Sequence, residues 1–295
     1  MSAETGTLEA ILGRALGEKV RVADVRAAGG GSINQGRVAQ LADGRRFFVK
    51  TNPSPPPRMF ECEAEGLRAL AAAGALRVPR VIAVGGENEG APALVLEAID
   101  AGRPGEGFFA RFGRAFAELH RATRGERFGF ARDNYIGSTT QANRWTEDWC
   151  EFWRRHRLGF QLDLARRRGL SDSTLDRLGE RLLDRLDELI GEPDEPPCLL
   201  HGDLWSGNYM VDVDGEPVLI DPAVYYGRRE ADLAMTRLFG GFTASFYDAY
   251  EELWPLAPGT QERQEVYKLY HLLNHLNLFG GGYRSSCIDV LRRFV

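Results

Sequence analysis

The pattern of apolar residues changes near residue 100, and this change constrains the fold more than any other feature of the chain. Before it, short β-type segments surround a glycine-rich loop, and helical segments are predicted over 7–16 and 59–76. After it, apolar residues recur at helical spacing over 106–122, 145–168 and 173–190. The sequence therefore predicts an α+β protein, with a small β-rich N-terminal lobe (1–99) and a larger, mainly helical C-terminal lobe (100–295).

Two Asp-Gly pairs predict β-hairpins. Asp43-Gly44 separates the strand-like stretches GRVAQLA and RRFFVK, and Asp214-Gly215 separates YMVDV from PVLID. Asp-Gly is favoured in the two-residue turns that join antiparallel strands. Because a hairpin returns its far end close to its start, Asn208 and Asp221, which flank the second pair of strands, are expected to lie near each other.

Composition excludes several classes of protein. The 295 residues carry a net charge of −5, and no basic face is evident, so a nucleic-acid partner is not expected. No apolar run reaches the length of a membrane span, and the N-terminus does not resemble a signal peptide. Four widely spaced cysteines without metal-binding spacing indicate reduced core residues and a cytoplasmic protein. Nothing in the sequence indicates an oligomeric state.

The strongest chemical signal is HGDLWSGN followed by LID. Phosphoryl transfer to a hydroxyl needs a carboxylate to accept the proton and hard oxygen ligands to hold Mg²⁺ on the phosphates. Asp203 and Asn208 have the D-x-x-x-x-N spacing of a kinase catalytic loop. Asp221 ends the second predicted strand of the hairpin that follows. We interpret Asp203 as the catalytic base, and Asn208 and Asp221 as metal ligands.

Lys50 is the candidate phosphate-binding cation. It ends the apolar strand FFVK, downstream of a glycine-rich loop. Such a lysine needs an acidic partner, and the next predicted helix offers Glu61, Glu63 and Glu65. Glu63 is the favoured partner, because it lies three residues after Phe60 and four before Leu67, at the border of the buried face.

The glycine-rich loop spans residues 29–34 and reads GGGSIN. Backbone N–H groups at Gly30, Gly31 and Ser32 are expected to approach the phosphates, because glycine allows close backbone contact. The loop matches neither G-x-G-x-x-G nor a Walker A motif. His271 and His275 are four residues apart on a predicted helix, and we interpret them as packing residues, since no third metal ligand is placed nearby.

Longer strings spread over most of the chain resemble the fructosamine/ketosamine 3-kinase family, within the aminoglycoside-phosphotransferase-like group. They include FFVKTN, MFECEAEGLRAL, WTEDWCEFWRRHRL, LLHGDLWSGN, LIDPAVYYG and LLNHLNLFGGGYRSS. The chain departs from that family after Tyr225-Tyr226, where Gly227-Arg228-Arg229-Glu230 stands in place of Gly-His-x-Glu. In place of the His-Pro of many aminoglycoside kinases, it has Trp205-Ser206.

The resemblance implies a bilobal protein-kinase-like fold, ATP and Mg²⁺ as cofactors, and phosphorylation of the sugar 3-hydroxyl of ketosamines. Ketosamines are glycation adducts on amines, and the phosphorylated adduct is unstable, so the implied role is protein deglycation and repair. Carried over to this chain, the family roles agree with Asp203, Asn208, Asp221 and Lys50. They also imply an adenine-binding hinge at Glu97, Ala98 and Ile99, and a substrate-side aromatic at Trp205. Asp232 is interpreted as a structural brace of the catalytic loop.

Two alternatives stay open at this stage. The chain could phosphorylate another small hydroxylated amine, such as an aminoglycoside or a choline-like compound. It could also be a pseudokinase that only binds its ligands, although Lys50, Asp203, Asn208 and Asp221 are all present.

Overall fold

The computed structural model describes residues 3–29, 33–85 and 92–295. The chain forms two compact units, each described below by itself. Unit 1 comprises Met1–Phe108 and Tyr209–Asp221, and unit 2 comprises Phe109–Asn208 and Pro222–Val295. The lobe boundary after residue 99 stays a prediction.

Unit 1 is built on a five-stranded antiparallel sheet of order β1-β2-β3-β5-β4 with two helices. Its elements are α1 (Ala3–Leu16), β1 (Val22–Ala27), β2 (Gln35–Leu41), β3 (Arg46–Thr51), α2 (Met59–Ala72), β4 (Val81–Gly85) and β5 (Ala93–Glu97). The turn at Asp43-Gly44 joins β2 to β3 as predicted, and Gly44 adopts a φ of 90°, which glycine allows without a steric penalty. β3 is the central strand, with β2 on one side and β5 on the other.

The core of unit 1 forms where α1 meets the sheet. Leu8, Ile11 and Leu12 occupy one helical face and pack with Val49 and Val95, which point from neighbouring strands to the same side. All five side chains are buried. This packing holds β3 and β5 in register next to Lys50.

The second predicted hairpin also belongs to unit 1. Strands β9 (Tyr209–Val211) and β10 (Pro217–Leu219) pair antiparallel, with Met210 opposite Val218. The hairpin contacts the segment before β4, where the Leu219 amide donates to the Arg77 carbonyl at 2.9 Å. The Arg77 guanidinium reaches Asp212 at 2.6 Å and Glu97 at 2.9 Å, so one side chain connects this hairpin to the end of β5.

Unit 2 is mainly helical, as the sequence predicted. Its elements are α3 (Phe108–Ala122), β6 (Asn134–Ile136), β7 (Thr139–Gln141), α4 (Trp149–Phe152), a π-helix (Trp153–Leu158), α5 (Gly159–Arg167), α6 (Ser173–Asp184), α7 (Leu186–Ile190), β8 (Cys198–Leu200), β11 (Tyr225–Gly227), α8 (Glu230–Leu238), α9 (Ala244–Leu253), α10 (Thr260–Phe279), a 3₁₀ turn (Gly281–Tyr283) and α11 (Arg284–Phe294). The 20-residue helix α10 runs through its apolar core.

The helical spacing predicted over 145–168 corresponds to three consecutive helical elements. Helical structure begins there at Trp149, and a π-helix separates α4 from α5. Within that segment Arg157 is fully buried between the rings of Phe152 and Tyr225, and it donates to the Ala142 carbonyl at 2.6 Å. At Gly159, an added Cβ would lie 2.2 Å from the Arg154 carbonyl oxygen, so glycine permits the close approach made by the widened turn.

Two further observations bear on the sequence predictions. The thiol side chains of all four cysteines are buried, which confirms their interpretation as core residues: Cys62, Cys150, Cys198 and Cys287. Among the described residues, no helix combines the length and the apolar character that crossing a membrane requires.

Candidate functional site

Lys50 lies on the central strand of unit 1, opposite Gly36 on β2 and Leu94 on β5. Its ammonium Nζ donates to Glu63 Oε1 at 2.6 Å, and it also contacts Asp221 Oδ1. The Lys50–Glu63 pairing predicted from the helical face is therefore confirmed. The structure brings three of the predicted site residues together: Lys50, Glu63 and Asp221.

Burial and charge act in opposite directions on Lys50. Its side chain is only 8% exposed, and burial alone would lower the pKa of the ammonium. The attraction of the Glu63 and Asp221 carboxylates outweighs this effect and raises the pKa of Lys50 above its usual value. Lys50 therefore carries a permanent positive charge near neutral pH, which a residue that binds phosphate requires.

Asp221 adopts an unusual backbone conformation. Its φ is 55°, in the left-handed region that non-glycine residues rarely occupy. The side chain stays 37% exposed although it contacts the buried Lys50. Such conformations carry a free-energy cost of about 1–3 kcal/mol and are concentrated at functional sites.

The loop after β8 positions Asp203 and Asn208 in unit 2. The Asn208 amide nitrogen donates to the main-chain carbonyl of Asp203 at 2.8 Å and to its Oδ2 at 3.1 Å. The Asp203 amide donates to His201 Nδ1 at 3.2 Å. His201 is buried, so this bond fixes the loop on its interior side. The Asp203 side chain is 19% exposed, so its carboxylate is accessible.

Asp232 on α8 holds the same loop through its main chain. Its Oδ2 accepts the His201 amide at 2.7 Å, and its Oδ1 accepts the Gly202 amide at 2.8 Å. His120 Nε2 lies 3.3 Å from Oδ2, and His120 Nδ1 lies 2.8 Å from the Tyr250 hydroxyl. Burial alone would raise the pKa of Asp232, but these hydrogen bonds and the neighbouring histidines lower it. The predicted bracing role of Asp232 is confirmed.

Gly202 is required by its backbone and by its surroundings. Its φ is 82°, and an added Cβ would lie 1.9 Å from the Ala223 carbonyl oxygen. The Ala223 amide in turn donates to the His201 carbonyl at 2.9 Å. The glycine of the HGD sequence therefore lets two segments of main chain approach closely just before the candidate base.

Comparison with known proteins identifies the family of this chain. The family model described as "Fructosamine kinase" matches residues 5–295, which is nearly the whole chain. The chain belongs to the fructosamine kinase family.

Relatives within the family cover the chain almost end to end. A candidate ketoamine kinase of Synechocystis sp. (strain ATCC 27184 / PCC 6803 / Kazusa) is 44% identical over 97% of this chain and 95% of its own length. The chloroplastic protein-ribulosamine 3-kinase of Oryza sativa subsp. indica is 45% identical over 93% of this chain and 80% of its own length.

Solved structures agree with the fold. The crystal structure of a candidate fructosamine-3-kinase from Thermobifida fusca YX-ER1 is 35% identical and has a TM-score of 0.87. It covers 99% of this chain, and the match covers 98% of that structure. The aminoglycoside phosphotransferase APH(4)-Ia, at 17% identity, a TM-score of 0.64 and coverage of 98% and 99%, shares the fold. The α+β kinase-like fold expected from the sequence is thus confirmed.

The predicted hinge follows β5. The Glu97 amide donates to the Arg80 carbonyl at 2.9 Å, and the Glu97 carboxylate accepts from Arg77. Any main-chain contact of Glu97 with adenine must therefore use its carbonyl group. Ala98 and Ile99 lie beyond the end of the strand and are partly exposed. The predicted phosphate contacts at Gly30, Gly31 and Ser32 lie outside the described residues.

The Trp205 side chain is 37% exposed, so neighbouring residues cover its ring only in part. An added Cβ at Gly207 would lie 2.4 Å from the indole, so the glycine makes room for the ring. The ring meets Phe239 edge-on, with centroids 6.0 Å apart. Trp205 therefore offers an accessible aromatic surface two residues after Asp203.

The residues that depart from the family pattern have structural contacts. Arg228 is buried and donates to the carbonyls of Ile190 and Gly191. Arg229 pairs with Glu195 at 2.7 Å, and Glu230 pairs with Arg263 at 2.7 Å. These side chains connect segments of unit 2, and Arg228, the residue that stands in place of histidine, is one of its packing residues.

One residue near the base was missed by the sequence analysis. His271 was interpreted as a helix-packing residue, yet its Nδ1 lies 3.9 Å from Asp203 Oδ1. That nitrogen is buried, and no group among the residues that the structure describes forms a hydrogen bond with it. Helical periodicity correctly placed His271 on a buried face, but it carries no information about which loop meets that face.

Proposed function

We propose that this protein is an ATP-dependent ketosamine 3-kinase that phosphorylates the sugar 3-hydroxyl of fructosamine or ribulosamine adducts. The observation that carries the proposal is the fixed, partly exposed Asp203 in a chain of the fructosamine kinase family. The relatives named ketoamine kinase and protein-ribulosamine 3-kinase support the ketosamine substrate class. Phosphorylation would destabilise the adduct, so the proposed cellular role is deglycation of amines in the cytoplasm.

Asp203 is proposed as the general base. Its carboxylate accepts the proton of the substrate 3-hydroxyl as that oxygen forms a bond to the γ-phosphorus of ATP. The bond between that phosphorus and the β,γ-bridging oxygen breaks, and ADP leaves with the electron pair. Asn208 orients the carboxylate through its bond to Oδ2. The loop is held by the Asp203 amide, which donates to His201 Nδ1, and by the His201 amide, which donates to Asp232.

The residues present fit a magnesium ion. The amide nitrogen of Asn208 serves Asp203, so its carbonyl oxygen is the atom that Asn208 can offer to a cation. Asp221 is partly exposed and supplies a carboxylate. Both are hard oxygen donors of the kind Mg²⁺ prefers. Bound Mg²⁺ would neutralise charge on the phosphates, and Asn208 and Asp221 would hold it.

Lys50 is proposed to bind the ATP phosphates, with Glu63 fixing its side chain. The charge of Lys50 is permanent, and its ammonium group already has two carboxylate partners. Exchanging one of these carboxylates for a phosphate therefore needs little reorganisation. The main chain of Gly30, Gly31 and Ser32 is proposed to contact the phosphates, and that of Glu97, Ala98 and Ile99 to contact adenine. Trp205 is proposed to contact the substrate.

The test is a substrate panel. Purified protein is incubated with Mg-ATP and, separately, fructosyl-lysine, ribulosyl-lysine, an aminoglycoside and choline. ADP release and the mass of each acceptor are followed, and NMR locates the phosphate on the sugar. Asp203→Asn is the inactive variant, and Asp214→Asn, the same change at an exposed turn residue, is the matched control.

We expect a ketosamine to gain one phosphate at its 3-hydroxyl. This activity should be retained in Asp214→Asn and lost in Asp203→Asn. Chelation of divalent ions should abolish turnover, and added Mg²⁺ should restore it. Phosphate gain only on an aminoglycoside or on choline would overturn the substrate assignment and keep the kinase chemistry. Failure to bind Mg-ATP would overturn both.

A further inference from the structure

An aromatic row, formed by Trp205, Phe239, His275, Phe279 and Tyr283, lies beside the candidate base in unit 2. Successive ring centroids are 6.0 Å apart for Trp205–Phe239, 4.9 Å for Phe239–His275 and 5.5 Å for His275–Phe279. Tyr283 lies 5.2 Å from His275. The rings therefore form one continuous surface.

The row is anchored to the base at two independent points. Trp205 is two residues after Asp203 in the catalytic loop. His275 is one helical turn after His271, whose Nδ1 is 3.9 Å from Asp203 Oδ1. The row thus begins two residues after the proposed base in the catalytic loop, and it extends along α10 to Phe279.

The row is also unusually open. Four Trp and Phe side chains of the described residues are exposed, and three of them, Trp205, Phe239 and Phe279, belong to this row. The fourth, Trp145, carries the guanidinium of Arg127 over its ring at 5.4 Å. Within the described part of the chain, no arginine or lysine lies over a ring of the row.

We propose that the aromatic row binds the amine carrier of a ketosamine, namely the cationic secondary amine and the peptide segment attached to it. The inference rests on the proposed function. With the sugar at Asp203, the substrate continues through its amine, which is positively charged near neutral pH. Aromatic faces without a cation of their own attract such a group. His275 does not oppose it, because burial lowers the pKa of its imidazole and keeps it neutral.

The test compares carriers on one sugar. The fructosyl adducts of methylamine and of the lysine in Gly-Lys-Gly are phosphorylated by the wild type, Phe239→Ala, Phe279→Ala and the control Trp145→Ala. The ratio of kcat/KM for the peptide adduct to that for the methylamine adduct should fall about fivefold in each Phe variant and stay constant in Trp145→Ala. Light scattering measures the mass of every variant.

Both adducts carry the cationic amine, so an unchanged ratio together with an unchanged KM for the methylamine adduct in both Phe variants would overturn the inference while leaving the proposed function intact. A Phe279→Ala protein of half the wild-type mass would also overturn it, because the row would then be covered by a second copy. If the wild type phosphorylates neither adduct, the same two carriers are compared on ribulose, and a wild type that phosphorylates none of the four adducts would remove the proposed function, and this inference with it.

A different observation carries a second inference, on His271. A buried polar atom without a partner is rare in native proteins, and Nδ1 of His271 is such an atom. The 3.9 Å gap to Asp203 Oδ1 is too long for a hydrogen bond and too short to hold a water between the two atoms. Catalytic hydrogen bonds are often long before substrate binds and tighten in the reactive complex.

We infer that His271 is a positioning residue for Asp203: its neutral imidazole, protonated at Nδ1, donates to Oδ1 when substrate is bound. Asn208 holds the other carboxylate oxygen, so the two donors together set the plane of the carboxylate. One lone pair of Oδ1 then remains for the substrate hydroxyl.

Two measurements test this inference. His271→Leu should lower kcat about tenfold with little change in the KM for ATP, while His271→Asn, whose amide nitrogen replaces Nδ1, should recover most of it. Independently of any substrate, ¹⁵N NMR at neutral pH should show the Nδ1–H tautomer for His271. The Nε2–H tautomer, or equal kcat in the Leu and Asn variants, would overturn the inference. His275→Asn, one turn later on the same helix, is the control for the NMR assignment.

Discussion

The two groups of charged site residues are held in different ways. In unit 1, Lys50, Glu63 and Asp221 satisfy one another, so each side chain depends on the charge of its neighbours. In unit 2, Asp203 and Asp232 are held by amide donors from the main chain and from Asn208. The first cluster is an ion-pair network and the second is a hydrogen-bonded loop.

The difference follows from what each group has to do. A phosphate-binding lysine must exchange a carboxylate for a phosphate, so partners of opposite charge that can be displaced are suitable. A base must keep one direction throughout the reaction, and the loop that carries Asp203 is fixed by main-chain N–H groups of His201 and Gly202 that donate to Asp232. Removing the charge of Lys50 should therefore lower stability as well as activity, whereas removing the charge of Asp203 should act mainly on the rate of reaction.

The largest expected effect is on the base. Asp203→Asn keeps the shape of the side chain and removes the proton acceptor, so kcat/KM should fall about 10³-fold. The melting temperature should change little, because the loop is held mainly by its main chain. Steady-state kinetics and thermal unfolding measure the two effects. Normal turnover in this variant would show that another group accepts the proton.

Lys50 should show the opposite balance. Lys50→Met leaves Glu63 buried without its cation, and breaking a buried pair lowers the free energy of unfolding by about 3 kcal/mol or more. Urea unfolding measures this loss. The double variant Lys50→Met/Glu63→Gln should recover most of the stability but none of the activity. Equal stability of the single and double variants would mean that the pair does not act as a network.

Asp232 tests whether the catalytic loop depends on its carboxylate. Asp232→Asn puts an amide group where two main-chain N–H groups need acceptors, so the free energy of unfolding should fall by about 2 kcal/mol. Activity should fall with it, because Asp203 directly follows the loop residues that lose support. Hydrogen exchange at the Gly202 amide should accelerate. Unchanged protection there would contradict the bracing role.

Acid should destabilise the protein through its buried histidines. Burial lowers the pKa of His271 to about 3, whereas the unfolded chain titrates near 6.5. Between these values the unfolded state binds the proton, so stability falls by about 1.4 kcal/mol per pH unit for this group as pH decreases. Urea unfolding from pH 7 to 4.5 should show a shallower pH dependence in His271→Asn than in the wild type. Parallel curves would contradict this origin of the acid sensitivity.

The smallest effect is expected for the half-exposed Arg77. Arg77→Ala should cost about 0.5–1 kcal/mol, because solvent screens its pairs with Asp212 and Glu97. Arg80→Ala removes a 78% exposed side chain that lies 3.5 Å from the same Glu97, and it should cost almost nothing. A loss above 2 kcal/mol for Arg77→Ala would mean that the hairpin depends on this contact far more than surface pairs usually allow.

Much of the site could be predicted because its signals are local. The Lys50–Glu63 pair follows from a strand that ends in lysine and from the face of the next helix. The hairpin before Asp221 follows from Asp214-Gly215. By contrast, the hairpin of β6 and β7 was missed, because its three-residue strands are too short to show an alternating pattern. The π-helix was missed because the buried Arg157 within it pairs with Ala142 and Asn143, which lie outside the helix, and helical periodicity does not reveal such contacts.

The sequence by itself determined the order of strands and helices, the turns and the spacing of Asp203, Asn208 and Asp221, since these depend on periodicity and on the conformations that glycine and aspartate allow. Only the tertiary structure decided that Nδ1 of His271 faces Asp203, and that aromatic residues separated by as many as 78 positions form one row. Those contacts depend on how α10 packs against the catalytic loop, and no local pattern encodes the packing of two distant segments.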